Sequence, residues 1–439
     1  MIAADVQNIK ASWLSDIPSH WNVVRLKTIV KGGTNGVWGS EPKNNKNDII
    51  CVRVADIDEW QYGISQSDLT RRNISDTDQS SRLLNFGDLI IEKSGGGEIS
   101  PVGRVVIFNL NEKAVTSNFM ARLNVIGDIN KEFLYYYFRF LYHRRLNHPA
   151  IKATTGIQNL DLYAYLQNPI PIPTPKEQTE IVGFINHTSG EITRFIQTKQ
   201  RFIELLKEQR QSIITNAVTK GIDENVKMKE TGIDWMPEVP EHWILKRGNW
   251  VYDLGKEIIT KEQLLSVKEL LHYSIPSIQD TGRPAVESGD TIDSNKQIVK
   301  PGDLLVSKLN PRKKTIVIVE NDSENRLLVA STEFVNLRCK DVNIDYAFYL
   351  YQSHLVTERI SSTVQSSTNS HQRSYPDTIY KMWNYYPPTI EEQKQIVEHI
   401  KTETRTLDIA ISKAEREIEL IKEYREAMIA EAVTGKMKL

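Results

Sequence analysis

The sequence has 439 residues, a formal net charge of -1 and a mean hydropathy of -0.41, so it is long enough for two or three domains with their own cores. It contains no apolar run of membrane-spanning length and no secretory leader, and we therefore expect a cytoplasmic protein without a membrane segment. The two cysteines, Cys51 and Cys339, argue against disulfides and against a zinc site, and the near-zero net charge does not by itself indicate a nucleic-acid binder.

The start of the chain carries a motif that returns in its second half. Residues 13–21 (WLSDIPSHW) recur at 235–243 (WMPEVPEHW), with the same spacing of Trp, aliphatic-Pro and His-Trp. Further matches follow at a shift of 215 positions: Gly87-Asp88-Leu89 with Gly302-Asp303-Leu304, Phe119 with Phe334, Glu177-Gln178 with Glu392-Gln393, and Ala217-Val218-Thr219 with Ala432-Val433-Thr434. A repeat of this length predicts two copies of a whole domain with its connector, which suits a partner with two similar halves.

Each copy begins with a mixed pattern of strands and short helices. β-Branched runs separated by Gly, Asn and Asp predict strands at 48–54, 88–91, 103–108, 304–306 and 315–319. Aromatic stretches predict helices at 132–138 and 346–350. We therefore predict one α+β domain at 1–173 and a second at 234–388. Their cores are expected to include Trp21, Trp243 and Tyr135-Tyr136-Tyr137.

Each copy ends in a long amphipathic helix. A capping Thr with a Glu three residues later stands at Thr174 and Glu177, and the same cap returns at Thr389 and Glu392. We predict helical spacers at 174–220 and 389–439, with a linker at 221–233, and Gly221 and Gly435 are expected to end the helices.

The apolar stripe of each helix has coiled-coil spacing and cannot be buried against the helix itself. The predicted fold class is therefore α+β, with two duplicated mixed domains joined by two long helices that pair as an antiparallel coiled coil. The alternative is that each helix lies on its own domain. The predicted stripes are Ile181, Ile185, Ile192, Phe195, Phe202, Leu206 and Ile213, and Ile396, Ile400, Leu407, Ile411, Ala414, Ile418, Ile421 and Met428.

This set of motifs resembles the specificity (S) subunits of type I restriction-modification systems. The resemblance rests on the 13–21 opening, on the Gly-Asp-Leu strand with a Gly-rich loop after it, and on the segment 155–160 (TGIQNL). It continues through the Pro-rich segment 170–175, which leads into Glu177-Gln178, and through the linker at 223–229. These features occur in the family's order and cover essentially the whole chain.

The resemblance implies a non-catalytic subunit whose parts have separate tasks. Each α+β domain would be a target recognition domain that reads one half of a split double-stranded DNA sequence, and the paired helices would set the distance between the half-sites. The helices would also dock two methyltransferase (M) subunits, and restriction/translocase (R) subunits would join the complex. S-adenosylmethionine, ATP and Mg are expected in those partner subunits, with no cofactor in this chain. Such a prokaryotic protein would be associated with the nucleoid through DNA.

The sequence itself offers no clear catalytic, cofactor-binding or metal-binding motif. There is no Gly-x-Gly-x-x-Gly after a strand, no phosphate-binding loop, no Asn/Asp-Pro-Pro-aromatic tetrad and no His/Cys metal spacing. The best nuclease candidate is Asp88 with Glu92 and Lys93, but Glu92 corresponds to Ser307 in the second copy, which favours a structural role. A metal-dependent nuclease, and a scaffold or dimerisation protein without DNA contacts, stay as alternatives.

Polar loops at equivalent places in the two copies supply the residue types that read bases and hold phosphates. The copies differ most in these loops while their frames agree, which predicts two different half-sites and an asymmetric target. For any one of these residues, ordinary solvated surface is the simpler interpretation. Gly95-Gly96-Gly97 is predicted to be a flexible loop that allows close backbone approach. The candidate DNA-binding residues are Lys31, Thr34, Asn35, Lys93, Ser94, Gly95, Gly96, Thr116, Asn118, Thr154, Thr155, Gln158, Asn159, Lys308, Asn310, Arg312, Lys313, Lys314, Thr332, Ser367, Asn369, His371, Gln372 and Arg373.

Overall fold

The computed structural model describes residues 12–14, 17–58, 63–154, 156–364 and 372–437 of the chain. It divides into two compact units: unit 1 consists of Met1–Gln200 and Arg416–Leu439, and unit 2 of Arg201–Glu415. The two boundaries between the units, after residue 200 and after residue 415, are separated by the 215 positions of the repeat. The segment that begins unit 2, from residue 201, has its equivalent in the segment from residue 416 that ends unit 1. The two units are therefore built from equivalent segments in circularly permuted order. Among the described residues, no helix combines the length and apolarity that crossing a membrane requires.

Unit 1 is built from short strands, short helices and one long helix that begins in it. Its strands are β1 Asn22–Arg25, β2 Val30–Asn35, β3 Asp48–Val52, β4 Ile57–Asp58, β5 Gly63–Ile64, β6 Arg71–Asn73, β7 Leu89–Glu92, β8 Val105–Ile107, β9 Ala114–Thr116, β10 Met120–Val125, β11 Ile151–Thr154, β12 Ile157–Leu160 and β13 Pro169–Ile172. Its helices are α1 Asp76–Arg82, α2 Lys131–His143 and α3 Leu162–Tyr165, followed by the start of α4, which spans Pro175–Lys220.

Unit 2 repeats this pattern with more short helices. Its strands are β14 Met228–Ile233, β15 Met236–Pro240, β16 Ile244–Arg247, β17 Tyr252–Leu254, β18 Ile258–Ile259, β19 Leu270–Tyr273, β20 Ala285–Glu287, β21 Lys296–Ile298, β22 Asp303–Ser307, β23 Ile316–Ile318, β24 Leu327–Ser331, β25 Phe334–Cys339 and β26 Trp383–Tyr386. Its helices are α5 Gly248–Val251, α6 Lys261–Leu264, α7 Ile275–Thr281, α8 Ile344–Gln352, α9 His354–Ser361 and α10 Pro376–Tyr380, followed by the start of α11, which spans Ile390–Val433.

An antiparallel four-stranded sheet is common to both units. Its strand order is β2-β10-β7-β8 in unit 1 and β17-β25-β22-β23 in unit 2. The second sheet differs, because unit 1 has the three-stranded β6-β3-β9 and unit 2 has the five-stranded β18-β21-β24-β19-β20. Each second sheet contains a parallel pair, β3 with β9 and β19 with β24. The prediction of two mixed α+β domains is confirmed.

The strand register corrects one of the matches made from the sequence. Met120 pairs with Glu92 in unit 1, and Phe334 pairs with Ser307 in unit 2. Since Glu92 and Ser307 are equivalent, Phe334 is equivalent to Met120, and the pairing of Phe119 with Phe334 was wrong by one residue. Phe119 is instead equivalent to Glu333. A one-residue slip in a strand moves a side chain to the other face, and Phe334 is accordingly buried while Phe119 is exposed.

The main core of each unit contains residues of both the mixed domain and the long helices. The predicted core residues Trp21, Trp243 and Tyr135 are all buried, and so are the neighbours of Tyr135 in α2. In unit 1 this core includes Ile185 of α4 and Ile429 of α11. The corresponding core of unit 2 includes Ile214 and Val218 of α4 with Ile396 and Ile400 of α11. The N-terminal part of each helix thus packs on its own mixed domain, as in the alternative arrangement, whereas the C-terminal part packs on the other mixed domain.

The long helices also pair with each other, in antiparallel orientation. Within unit 2, Lys207 of α4 bonds Glu415 of α11 at 3.1 Å, and Arg210 bonds Asp408 at 2.7 Å. The residue with the higher number in α4, Arg210, has the partner with the lower number in α11, so the two helices run in opposite directions. Within unit 1, Lys199 bonds Glu417 at 2.7 Å. The predicted antiparallel pairing is confirmed within each unit.

The buried stripe of α4 differs from the predicted one. Phe195 and Phe202 are 40% and 44% exposed, whereas Ile196 and Ile203 are each 7% exposed. Neighbouring residues on a helix of 3.6 residues per turn point about 100° apart, so burial of the Ile side chains turns each preceding Phe away from the core. The choice of Phe195 and Phe202 as core positions was wrong.

The repeated sequence motifs meet at the junction between each mixed domain and the helix that follows it. In unit 1 the Glu177 carboxylate accepts hydrogen bonds from Trp21 Nε1 at 3.1 Å and contacts His20 Nε2 at 2.7 Å. In unit 2 Glu392 makes the same two contacts, with Trp243 and His242, each at 2.9 Å. The repeated His-Trp pair and the repeated capping Glu therefore contact each other in both units.

A buried amide completes this junction. The Gln178 side chain donates to the Pro173 carbonyl at 2.9 Å and accepts from the Asn130 N–H at 2.8 Å, so it connects the start of α4 to the N-cap of α2. In unit 2 Gln393 forms the equivalent bonds, to the Pro387 carbonyl at 3.1 Å and from the Asn343 N–H at 2.7 Å. The Glu-Gln pair of the repeat thus fixes the mixed domain on its helix.

Both long helices end as predicted, but the segment after the first is not all linker. Gly221 and Gly435 have φ of 75° and 72°, the left-handed conformation that ends a helix. A Cβ at Gly435 would lie 2.3 Å from Pro18, so the Pro of the opening motif requires a glycine there. Residues 228–233 of the predicted 221–233 linker form strand β14, which pairs with β15.

Candidate nucleic-acid interface

Three of the predicted polar segments of unit 1 meet on one network of backbone hydrogen bonds. The Lys93 N–H donates to the Phe119 carbonyl at 2.8 Å, the Gly95 N–H to the Gln158 carbonyl at 3.1 Å, and the Leu160 N–H to the Lys93 carbonyl at 2.8 Å. We name the residues 93–97, 116–119 and 157–160 loop cluster 1. The residues that the sequence identified singly are thus neighbours in space.

The same network recurs in unit 2. The Lys308 N–H donates to the Glu333 carbonyl at 3.0 Å, the Asn310 N–H to the Gln372 carbonyl at 2.7 Å, and the Ser374 N–H to the Lys308 carbonyl at 2.9 Å. We name the residues 308–314, 331–334 and 372–374 loop cluster 2. Each bond has its counterpart in loop cluster 1, so the backbone equivalences between the clusters follow directly from the hydrogen bonds.

The side chains on this common frame are partly shared and partly different. Two equivalent pairs are the same residue type, Lys93 with Lys308 and Gln158 with Gln372. Isolated bridges pair Ser94 with Asn159 and Leu309 with Arg373, which makes Asn159 equivalent to Arg373. The differing pairs are Ser94 and Leu309, Gly95 and Asn310, Phe119 and Glu333, Asn159 and Arg373, and Leu160 and Ser374.

Loop cluster 2 carries most of the positive charge. Arg312 and Lys313 are exposed on a tight turn, which is flanked by Asn310 and Lys314 with φ of 47° and 49°. The Arg373 guanidinium bonds the Glu333 carboxylate at 2.9 Å and stays 61% exposed. Exposed arginine and lysine side chains are the groups that contact phosphates and guanine edges.

Two of the candidate lysines are half-buried and bonded within the protein. Lys93 is half-buried and its ammonium donates to Asn35 Oδ1. Lys314 is also half-buried, and its ammonium donates to Gln211 Oε1 on α4 at 2.6 Å. Desolvation lowers the pKa of both ammonium groups. These two lysines hold their loops in place. Lys313 also donates to Gln279 Oε1 at 3.2 Å, but its side chain is exposed, so Arg312 and Lys313 are the better placed for an external anion.

Other candidates lie apart from the clusters or inside the fold. Thr116 is 2% exposed on strand β9, so the prediction that its side chain contacts DNA was wrong for this conformation. The Thr34 hydroxyl donates to Asn124 at 3.0 Å on the neighbouring strand. Lys31 is exposed on β2, four residues before Asn35 and therefore about 13 Å from it at 3.3 Å per residue.

Several candidates lie outside the residues whose structure is described. These are Thr155, Ser367, Asn369 and His371, and the side chain of Thr154. The remaining candidates of the loop clusters are at the surface in part or fully, namely Ser94, Gly95, Gly96, Asn118, Gln158, Asn159, Lys308, Thr332 and Gln372.

The sequence interpretation missed exposed apolar side chains in loop cluster 1. Phe119 is 47% exposed, and Ile157, next to Gln158, is 53% exposed. The Phe119 ring lies beside Gly95, where an added Cβ would be 3.8 Å from its Cδ1. The available signal was their position between polar loop residues, where an apolar side chain has little core to enter.

The carboxylates of the nuclease candidate are held by cations. Glu92 is 1% exposed and its carboxylate bonds Arg104 at 2.9 Å, while Asp88 bonds Lys131 at 3.0 Å. Across the described part of the chain, no group of three or more His, Cys, Asp or Glu side chains is placed to hold a metal ion. These contacts favour the structural interpretation of Asp88 and Glu92.

The fold and the paired loop clusters define a class of protein with two tandem α+β domains on antiparallel helices, and comparisons show which known proteins it is similar to. Residues 18–205 match the family model described as the type I restriction modification DNA specificity domain. The type I restriction enzyme MjaVIII specificity subunit of Methanocaldococcus jannaschii is 22% identical, over 99% of this chain and 96% of the relative. The putative MjaX specificity subunit of the same organism is 21% identical, over 99% of this chain and 97% of the relative.

A solved structure shares the fold. One chain from a study of complex assembly and conformational transition in a type I restriction-modification system has a TM-score of 0.65 and 14% identity, covering 96% of this chain and 100% of that chain. The present chain is thus similar to type I restriction-modification specificity subunits, over residues 18–205 for the family model and over nearly its whole length for the two relatives.

Proposed function

We propose that this chain is the DNA sequence-specificity subunit of a type I restriction-modification complex and that it reads an asymmetric, bipartite target. The observation that carries the proposal is the pair of loop clusters, which share three backbone hydrogen bonds and differ in side chains at five equivalent positions. A common frame presents the loops to DNA in the same way, and different side chains contact different bases.

The chain would act without chemistry of its own and would recruit the catalytic subunits. Two methyltransferase subunits would dock on the helices, and restriction/translocase subunits would join them. S-adenosylmethionine, ATP and Mg would be bound by those partners, in the prokaryotic cytoplasm where the chromosome lies. Exposed apolar side chains of the helices support a docking role: Phe202 and Leu205 in unit 2 are 44% and 47% exposed, and Leu420 and Tyr424 in unit 1 are 46% and 54% exposed.

The experiment that tests the proposal is genome-wide mapping of methylated adenines, the base that the family resemblance implies. Cells that carry this chain with its methyltransferase partner are compared with cells that lack only this chain. We expect one split, asymmetric motif that is methylated in the first cells and unmethylated in the second. A motif that persists without the chain would assign sequence reading to another subunit. A protein that only joins other subunits would show no sequence preference, and a nuclease would cut DNA as a purified chain with a metal ion.

A further inference from the structure

The clusters differ most in chemistry at one pair of neighbouring positions. The first position is Phe119 in unit 1 and Glu333 in unit 2, whose carbonyls accept the equivalent lysine N–H. The second is Asn159 in unit 1 and Arg373 in unit 2, which form the equivalent bridges to the glycine-rich and basic loops. One cluster thus combines an aromatic ring with an amide, and the other combines a carboxylate with a guanidinium.

In unit 2 the two side chains form an ion pair that orients the arginine. Arg373 Nη2 lies 2.9 Å from Glu333 Oε1, and the side chains are 61% and 22% exposed. A guanidinium has five N–H donors, so a carboxylate on one edge leaves donors for a ligand. An arginine that is already fixed in direction loses less side-chain entropy on binding, and its planar fork matches O6 and N7 of guanine.

In unit 1 the same place carries an exposed apolar surface. Phe119 lies beside Gly95, which has φ of 107° and no side chain to cover the ring. Ile157 is exposed immediately before Gln158, whose carbonyl accepts the Gly95 N–H. The apolar group that a base presents in the major groove is the C5-methyl of thymine, which aromatic and aliphatic side chains contact.

We infer that this position pair sets the base preference of each half-site: Arg373, held by Glu333, reads a guanine, and Phe119 contacts a thymine methyl. The inference rests on the proposed function and adds the base type that each loop cluster selects. It assigns the two contacts to different halves of the target, because Arg373 is in unit 2 and Phe119 in unit 1.

The guanine contact is tested with the full chain assembled with its methyltransferase partner, on duplexes that carry the mapped motif. Each guanine is replaced in turn by 7-deazaguanine, which lacks the N7 acceptor. We expect one replacement to weaken binding of the unchanged protein by about 2- to 13-fold, because it removes one of the two acceptors of a bidentate contact. Arg373→Ala removes every donor of the guanidinium, so it should bind the unmodified and the modified duplex equally. Arg283→Ala, at an exposed arginine of unit 2 outside the cluster, is the matched control and should behave like the unchanged protein.

The thymine contact is tested by replacing each thymine with deoxyuridine, which lacks the methyl group. We expect one replacement, in the other half of the motif, to weaken binding by about fourfold, the value of one buried methyl group. Phe119→Ala should remove this difference, and Phe119→Leu should retain part of it. Phe86→Ala is the matched control, because Phe86 is 67% exposed in the same unit and lies outside the cluster.

The possible outcomes separate the inference from the proposed function. If the unchanged protein shows no split motif, the proposed function fails. If the motif is present and the Arg373 and Phe119 variants respond to both base analogues as the unchanged protein does, only the inference is overturned. Thermal melting of each variant checks the fold, and both positions are exposed enough for substitution without a core defect.

Discussion

Loop clusters 1 and 2 place different side chains on the same backbone. Lys93 and Lys308, and Gln158 and Gln372, are unchanged between them, whereas the exposed surface is apolar around Phe119 and basic around Arg312 and Lys313. The difference shows that the residues which hold the loops are separate from those which face outward. A duplicated domain can therefore change what it binds without changing how it folds.

Exchange of a whole domain is the strongest way to break this comparison. Replacing residues 1–173 with the corresponding domain of another specificity subunit removes loop cluster 1 and leaves loop cluster 2 intact. We expect one half of the methylated motif to change completely and the other half to stay the same, as measured by genome-wide adenine methylation mapping. A motif that changed in both halves, or in neither, would show that the clusters do not act separately.

The junction glutamines test whether the two frames are equally important for stability. Gln178→Ala and Gln393→Ala each leave a backbone N–H and a carbonyl without their partner, at positions that are 3% and 2% exposed. Loss of a buried hydrogen-bond partner costs about 1–3 kcal/mol, so we expect both variants to lower the free energy of unfolding by this amount in urea denaturation. Gln197→Ala at an exposed position of α4 is the control. A difference of more than about 1 kcal/mol between the Gln178 and Gln393 variants would show that the frames are not equivalent.

The charge difference between the clusters predicts different sensitivity to salt. Each phosphate contact contributes about 0.9 to the slope of log affinity against log salt concentration on duplex DNA. Arg312→Ala and Lys313→Ala should each reduce that slope by about 0.9, whereas Asn118→Ala in loop cluster 1 should leave it unchanged. Fluorescence anisotropy of a labelled duplex between 50 and 200 mM salt, a range in which such slopes are resolved, provides the measurement. Equal slopes for all three variants would place the phosphate contacts elsewhere.

The large features of the fold follow from local sequence signals. The helix caps at Thr174 and Thr389 and the terminating glycines predict both long helices, because these residues satisfy backbone groups that a helix leaves unpaired. The strand positions also follow from β-branched runs. The errors in the predicted apolar stripe of α4 arose where either of two adjacent apolar residues could have been the buried one. Phe195 and Ile196 both fit coiled-coil spacing, and only packing against a partner decides between them.

The candidate site was harder to predict than the fold. A constant shift of 215 positions aligned Phe119 with Phe334. The second copy is one residue shorter between the two paired strands, so Phe334 is equivalent to Met120. Only the backbone pairing of the strands reveals this difference. Thr116 was chosen for its residue type, although its strand β9 pairs with β3 and is buried. Phe119 was overlooked because an aromatic residue in a sequence suggests a core position. In each case the missing information is which residues far apart in the chain become neighbours.

The smallest predicted effect concerns acid stability of the junction in unit 1. Burial opposes the charged form of Glu177, but hydrogen bonds from Thr174, His20 and Trp21 prevail and lower the pKa of its carboxyl from 4.5 to about 2. A carboxylate with a lowered folded-state pKa contributes stability above its unfolded pKa, and this contribution is lost as the pH falls from about 4.5 towards 2. Because Glu177 is partly exposed and solvent screens its contacts, we expect a loss of about 0.5 kcal/mol. Glu177→Gln should abolish this pH dependence in urea titrations, and Glu180→Gln, on the exposed face of the same helix, should preserve it. A Glu177→Gln variant with an unchanged acid profile would show that this carboxyl does not sense pH in that range.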